Sequence, residues 1–100
     1  MSALLLLDNV SVNTVGEWIR VDGGSYSAVV WGDNFGGGQV TLECSPDGGL
    51  TAIALRDWSD AVYNFTDNNV KGLDYIGQGL LVRAVLSGAA GASNVSAGLY

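Results

Sequence analysis

Clusters of turn-forming residues break this chain about every eight to twelve residues, a spacing that leaves room for short strands and little else. Asp8-Asn9, Asp22-Gly23-Gly24, Asp33-Asn34-Phe35-Gly36-Gly37-Gly38, Asp67-Asn68-Asn69, Gly77-Gln78-Gly79 and residues 88–93 are rich in side chains that accept positive φ or bond their own backbone. Between them, apolar and polar residues alternate. The clearest run has Val40, Leu42 and Cys44 interleaved with Gln39, Thr41, Glu43 and Ser45, the period of a half-buried strand. It ends in Ser45-Pro46-Asp47-Gly48-Gly49, where Pro presets φ, Asp caps and Gly accepts positive φ, so a hairpin is predicted. Its return strand puts Thr51, Ile53 and Leu55 on one face and Ala52, Ala54 and Arg56 on the other.

The same pattern predicts strands over residues 3–10, 15–21, 25–32, 61–66, 70–76, 80–87 and 94–99. No segment sustains a 3.6-residue period with helix caps, and the Ala-rich stretch near the end is broken by glycine into a loop. The fold expected is all-β: an antiparallel sandwich or barrel of about eight or nine short strands, jelly-roll-like or immunoglobulin-like. In the 80–87 strand, Leu80, Val82, Ala84 and Leu86 are apolar on one face, and Leu81, Arg83 and Val85 make the other mostly apolar. That strand should be central and covered on both sides, the second cover being open to a neighbouring subunit.

At 100 residues the chain makes one domain, 1–100. It is 48% hydrophobic but only 14% charged, against about 25% charged in a typical soluble domain, so part of its exterior should meet protein. The net charge is −6, and the four cations, Arg20, Arg56, Lys71 and Arg83, stand singly. Nucleic acid and anionic membrane are therefore not expected as partners. Cys44 has no second cysteine to pair with and reads as a small buried residue in a reducing compartment. Leu4, Leu5, Leu6 and Leu7 form an aliphatic run far shorter than a membrane span and lack the flanks of a signal peptide. The Asn-X-Ser/Thr triplets at Asn9, Asn64 and Asn94 are read as coincidence in a Ser/Thr-rich β protein.

Catalytic chemistry finds little to use. Without histidine, most nucleophile–base triads and the commonest metal ligand are gone. Asp57 and Asp60 flank Trp58, an arrangement read as a polar turn rather than a glycosidase pair. Asp67-Asn68-Asn69-Val70-Lys71-Gly72 starts like a calcium loop, but Lys71 stands at a ligand position and Gln78 where a Glu belongs. The three glycines 36–38 lack the Lys and Ser/Thr of a phosphate loop. The chain is therefore read as a non-enzyme with no cofactor and no metal. Among the aromatic residues, two or three of Trp18, Trp31 and Trp58 are expected to fill the core, with protein or sugar contact as the other uses.

Two segments carry a resemblance. Val40-Thr41-Leu42-Glu43-Cys44-Ser45-Pro46-Asp47-Gly48-Gly49, and then Val82-Arg83-Ala84-Val85-Leu86-Ser87-Gly88-Ala89 with Ser93-Asn94-Val95-Ser96-Ala97, resemble the small β virion proteins of tailed bacteriophages, over about the C-terminal 60 residues. The resemblance implies a capsid decoration (cement) protein, made in the host cytoplasm and carried on the capsid exterior. Its partners would be the major capsid protein and further copies of itself as a homo-oligomer. On that reading Leu4, Leu5, Leu6 and Leu7, as an ordinary first strand or an arm added to a neighbour's sheet, supply interface contacts. So does the loop of Asp33, Asn34, Phe35 and Gly36, while Asp8 and Asp74 face basic patches on the shell. The alternatives are a head-to-tail adaptor or a tail-fibre component, including a glycan-binding adhesin, which exposed aromatics in a pocket would favour.

Overall fold

The computed structural model describes residues 4–57, 59–76 and 79–100, without the side chains of 74–76. Ala3, Trp58, Gly77, Gln78 and the side chain of Asp74, all used above, lie outside the described residues. The chain is all-β, with ten strands in two antiparallel sheets rather than eight or nine. The strands are β1 (Leu4–Val10), β2 (Thr14–Val15), β3 (Ile19–Arg20), β4 (Gly24–Trp31), β5 (Gln39–Ser45), β6 (Ile53–Ala54), β7 (Asn64–Phe65), β8 (Asn69–Ile76), β9 (Leu81–Ser87) and β10 (Val95–Leu99). Sheet A runs β1-β10-β4-β8. Sheet B has β9 and β5 at its centre, β2 and β3 along the outer side of β9, and β6 and β7 along the outer side of β5.

Because β2 and β3 share one position and β6 and β7 another, ten strands fill eight positions. Numbered along the chain, those positions read 1-8-3-6 in sheet A and 2-7-4-5 in sheet B. This is jelly-roll connectivity, in which every link crosses between sheets except the hairpin between the fourth and fifth positions. It separates the two topologies that the strand pattern left open.

The shared positions have local causes. The 15–21 segment is interrupted at Gly16, whose N–H donates to Ala84 O at 2.9 Å. A Cβ there would stand 2.7 Å from Ala84 O and 2.8 Å from the Leu6 carbonyl, so only glycine lets the edge of sheet B pass beneath β1. The other interruption is an excursion over residues 56–62, closed by an Arg56–Val62 bridge. Asp57 organises it: Oδ1 accepts from the Ser59 and Ala61 amides and the Ser59 hydroxyl, and Oδ2 pairs with Lys71 Nζ at 2.8 Å. Lys71, then the Ala61 and Ser59 donors, hold this carboxyl well below the usual carboxylate range. Asp47 does similar work in the hairpin loop, where it takes the Thr51 hydroxyl and amide and the Ser45 hydroxyl, which lower its pKa too.

The core lies between the sheets: Val40 and Leu42 of β5 and Val82, Ala84 and Leu86 of β9 meet Ala28 and Val30 of β4 and Val95, Ala97 and Leu99 of β10. As expected, β9 is central, flanked by β5 and the β2–β3 line, with Leu81, Arg83 and Val85 half-buried on its outer side. The aromatic filling differs from expectation. Neither described tryptophan, Trp18 or Trp31, is in the core; Tyr63, Phe65 and Phe35 are. Large indoles do not fit between strands whose inward residues are mostly Val, Ala and Leu. Tyr63 reaches across from sheet B, donating its hydroxyl to Gly72 O of sheet A at 2.8 Å, with Lys71 Nζ 4.6 Å from its ring centroid. Cys44 is half-buried rather than buried, and burial followed by the Glu43 charge pushes its thiol pKa up.

Leu42→Ala is expected to lower stability by about 2–5 kcal/mol, and Tyr63→Phe by about 0.5–1.5 kcal/mol. Urea unfolding measures both, and equal losses would contradict a ring held mainly by packing. Asp47 and Asp57 bind fewer protons folded than unfolded, so their contribution is present above an unfolded carboxylate pKa of about 3.9 and is lost as pH falls through the lower folded values. Acid unfolding curves should therefore be shallower for Asp57→Asn than for the parent chain; identical acid limbs would show the carboxylate to be inert.

Candidate protein interface and the depression beside it

The two outer faces of the sandwich differ in chemistry. On sheet B, outward Val15 is 62% exposed and Val85 half-buried, and the polar side chains around them are paired. Thr41 Oγ1 donates to Asn64 Oδ1 at 3.3 Å, and Asn64 Nδ2 donates to Gln39 Oε1 at 3.0 Å. Arg83 Nε meets Glu43 Oε1 at 2.7 Å, and the guanidinium lies 4.3 Å from the Trp18 ring centroid. A sheet face finished in this way has its polar groups satisfied within the chain.

Sheet A presents the opposite. Register places Leu5, Gly98, Val29 and Val70 in one row across β1, β10, β4 and β8. Leu5 is 43% exposed and Val70 63%. On one flank Ser96 pairs with Trp31; on the other, Ser27 and Tyr100 exchange backbone hydrogen bonds of 2.8 and 2.9 Å. The Tyr100 ring folds over Gly98, where a Cβ would come within 3.0 Å of it, and its centroid lies 6.3 Å from that of Trp31. No side chain of this row or of these flanking pairs carries a charge. The apolar row of sheet A has no charged side chain in it, whereas the outer side of sheet B carries the Arg83–Glu43 pair beside apolar Val15 and Val85.

The residues expected at an interface divide. Leu6 and Leu7 are only 5% and 3% exposed and belong to the core, as does Phe35, so these three have no surface to offer. The reason is a bulge: Leu5 pairs with Gly98 and Leu7 with Ala97, which leaves Leu6 as an extra residue and turns two consecutive leucines inward. The segment is an ordinary first strand on β10, with Leu4 packed against the core and Leu5 alone joining the outer row. Asp8-Asn9 is not a turn but a second irregularity within β1, with Asn9 at φ 51°. Asn34 and Gly36 sit in a loop bound to the 88–93 connection, through Ser93 N to Asn34 O at 2.8 Å and Ala90 N to Gly36 O at 2.9 Å. Asp33 is exposed, and its N–H shares the Ser93 carbonyl with that of Asn34, at 3.1 and 3.3 Å. The sequence reading missed Val29, Val70 and Tyr100; the available signal was that Ala28 and Val30 alternate with Val29 and Trp31, so β4 is apolar on both sides.

Where this face meets the loop end of the sandwich there is an open depression lined by Asn9, Trp31, Gly32, Asp33, Asn68 and Asn94. Four different parts of the chain supply it: the kink of β1, the end of β4, the turn before β8 and the turn before β10. Asn68 Oδ1 accepts from Gly32 N at 2.8 Å, and Asn94 Nδ2 donates to Asp33 Oδ2 at 2.7 Å. Asn9 N donates to the buried Ser96 hydroxyl at 2.9 Å, which anchors the β1 wall to β10.

Among the described residues no three His, Cys, Asp or Glu side chains converge as metal ligands. Asp57, the acid beside Trp58, has both oxygens occupied by its own loop and Lys71. Comparison with protein families, with curated proteins and with solved structures finds no match.

Proposed function

We propose that this chain is a capsid decoration protein of a tailed bacteriophage, which docks on the assembled shell through the outer face of sheet A. The observation that carries the docking reading is the uncharged row of Leu5, Val29 and Val70 with Tyr100 folded over Gly98, set against a sheet B exterior whose polar groups are paired internally. A solvent-facing sheet normally alternates apolar-in with polar-out. Here apolar side chains stand on both sides of β4, and a protein partner is what such a face fits. The resemblance of the 40–49 and 82–97 segments to small virion proteins supplies the identity of that partner as the major capsid protein.

The mechanism is stapling. A rigid sandwich that binds across neighbouring capsid subunits recognises a geometry present only in the finished lattice, and it stabilises that lattice by mass action. Contacts to two subunits raise avidity without a new type of contact. Self-association of the same chain on the shell adds to this. Exposed Asp8, in the kink of β1, would steer the encounter with a basic surface rather than hold it.

Co-sedimentation of the purified chain with emptied phage capsids, with isolated tails as the control, tests the reading. Saturable binding at a fixed ratio to the major capsid subunit, with a raised shell melting temperature, is expected. Leu5→Lys and Val70→Lys should each weaken binding by about 10–100-fold, the loss of one buried anchor, and leave the chain folded. Thr41→Lys on sheet B should leave binding unchanged. Sedimentation with tails alone would overturn the decoration role in favour of an adaptor or tail-fibre component.

A further inference from the structure

The depression beside Trp31 has a chemistry that the docking row does not share. It is concave and polar, and one wall is an indole, 37% exposed, that the core does not use. Its polar side chains are amides and a single carboxylate, with no Lys or Arg among its lining residues. The Asn68 amide NH2, the Asn9 side chain and Asp33 Oδ1 make no hydrogen bond with the described residues, so donors and acceptors stand free around the ring.

Backbone conformation singles out the same place. Of the three described non-glycine residues at positive φ, two, Asn9 at 51° and Asn94 at 55°, line this depression. Asn tolerates that region better than most residues, but glycine would occupy it without strain. The chain has glycine at many other positive-φ positions, Gly36, Gly48 and Gly88 among them. An amide side chain stands at two left-handed positions that border one site, and such backbone outliers cluster at ligand sites.

We propose that this depression binds a neutral sugar: the C–H face of a pyranose ring stacks on Trp31, while adjacent hydroxyls bond to Asp33, Asn68 and Asn9. Competing ligands fit less well. A phosphate or an acidic sugar would meet Asp33 and a net charge of −6 with no cation in the site. A calcium ion needs six or more oxygens, and the only lining carboxylate, Asp33, already bonds Asn94 through Oδ2. An apolar ligand would leave the amides unpaired. A flat protein surface would not enter a concavity at the end of the sandwich. This site goes beyond shell docking: it shares Trp31 with the flank of the Leu5–Val70 row, while Asp33, Asn68 and Asn94 lie beyond that row at the sandwich end.

The test is a titration of the isotopically labelled full chain with methyl β-galactoside, methyl β-glucoside and cellobiose, with sialic acid as the charged comparator, followed by amide and indole NMR shifts. Saturable shifts at the Trp31 indole and at Gly32, Asn68 and Asn94 are expected with at least one neutral sugar at millimolar concentration, and none with sialic acid. Trp31→Ala should abolish them. Because Trp31→Ala also removes a packing partner of Tyr100, Asn9→Gly serves as the second variant: it suits φ 51°, keeps the fold and shell binding, and should weaken sugar binding by about tenfold. No saturable shift with any neutral sugar, shifts centred elsewhere, sialic acid binding as well as neutral sugars, or Asn9→Gly binding like the parent would each overturn the proposal.

Discussion

The rest of the structure depends on β10 being buried on both sides while carrying almost no bulk on one of them. Its inner residues Val95, Ala97 and Leu99 are in the core, and its outer residues are only Ser96 and Gly98, yet these are buried too. Small outer residues let neighbours lean in: the Tyr100 ring lies over Gly98, and the kink of β1 sends the Asn9 amide to the Ser96 hydroxyl. A larger residue at either place would push these groups away. The apolar row and the depression are then two products of one narrow strand at the middle of sheet A, the first formed across it and the second at its N-terminal end.

Much of this was legible in the chain, and what was missed has physical reasons. Alternation located β5 and β9 within a residue or two and identified β9 as central, because period-2 patterning reports burial directly. Asp47 was recognisable as the organiser of its loop, since its role is local. Strand order was not readable: the pairing of β10 with β4 joins residues more than sixty apart, and nothing local specifies it. Nor was the double bulge of β1 readable, although Asn9, a residue that accepts positive φ, was a trace of it. Leu6 and Leu7 looked alike with Leu4 and Leu5 as surface candidates because a strict alternation cannot bury two consecutive residues; the extra residue is what permits it.

The tryptophans illustrate the limit of composition as a guide. Size argued for the core, yet Trp18 serves as a platform for Arg83 and Trp31 as a wall at the rim of sheet A. The core is instead closed by Tyr63, whose hydroxyl reaches a carbonyl of the opposite sheet, a task that an indole N–H at a different height would not perform in the same place. The two faces thereby acquire distinct characters. Sheet B sets paired polar groups among Val15 and Val85, while sheet A carries only aromatic, aliphatic and small uncharged side chains along its central row.

The bulges of β1 also decide what its outer edge can pair with. A regular edge strand offers evenly spaced amides and carbonyls on which another strand, and then another molecule, can grow without end. With Leu6 inserted and Asn9 turned left-handed, the spacing along the free edge of β1 changes twice within seven residues. A second chain cannot stay in register along it. On this side of sheet A, side chains rather than the backbone ladder are what the molecule offers to a neighbour.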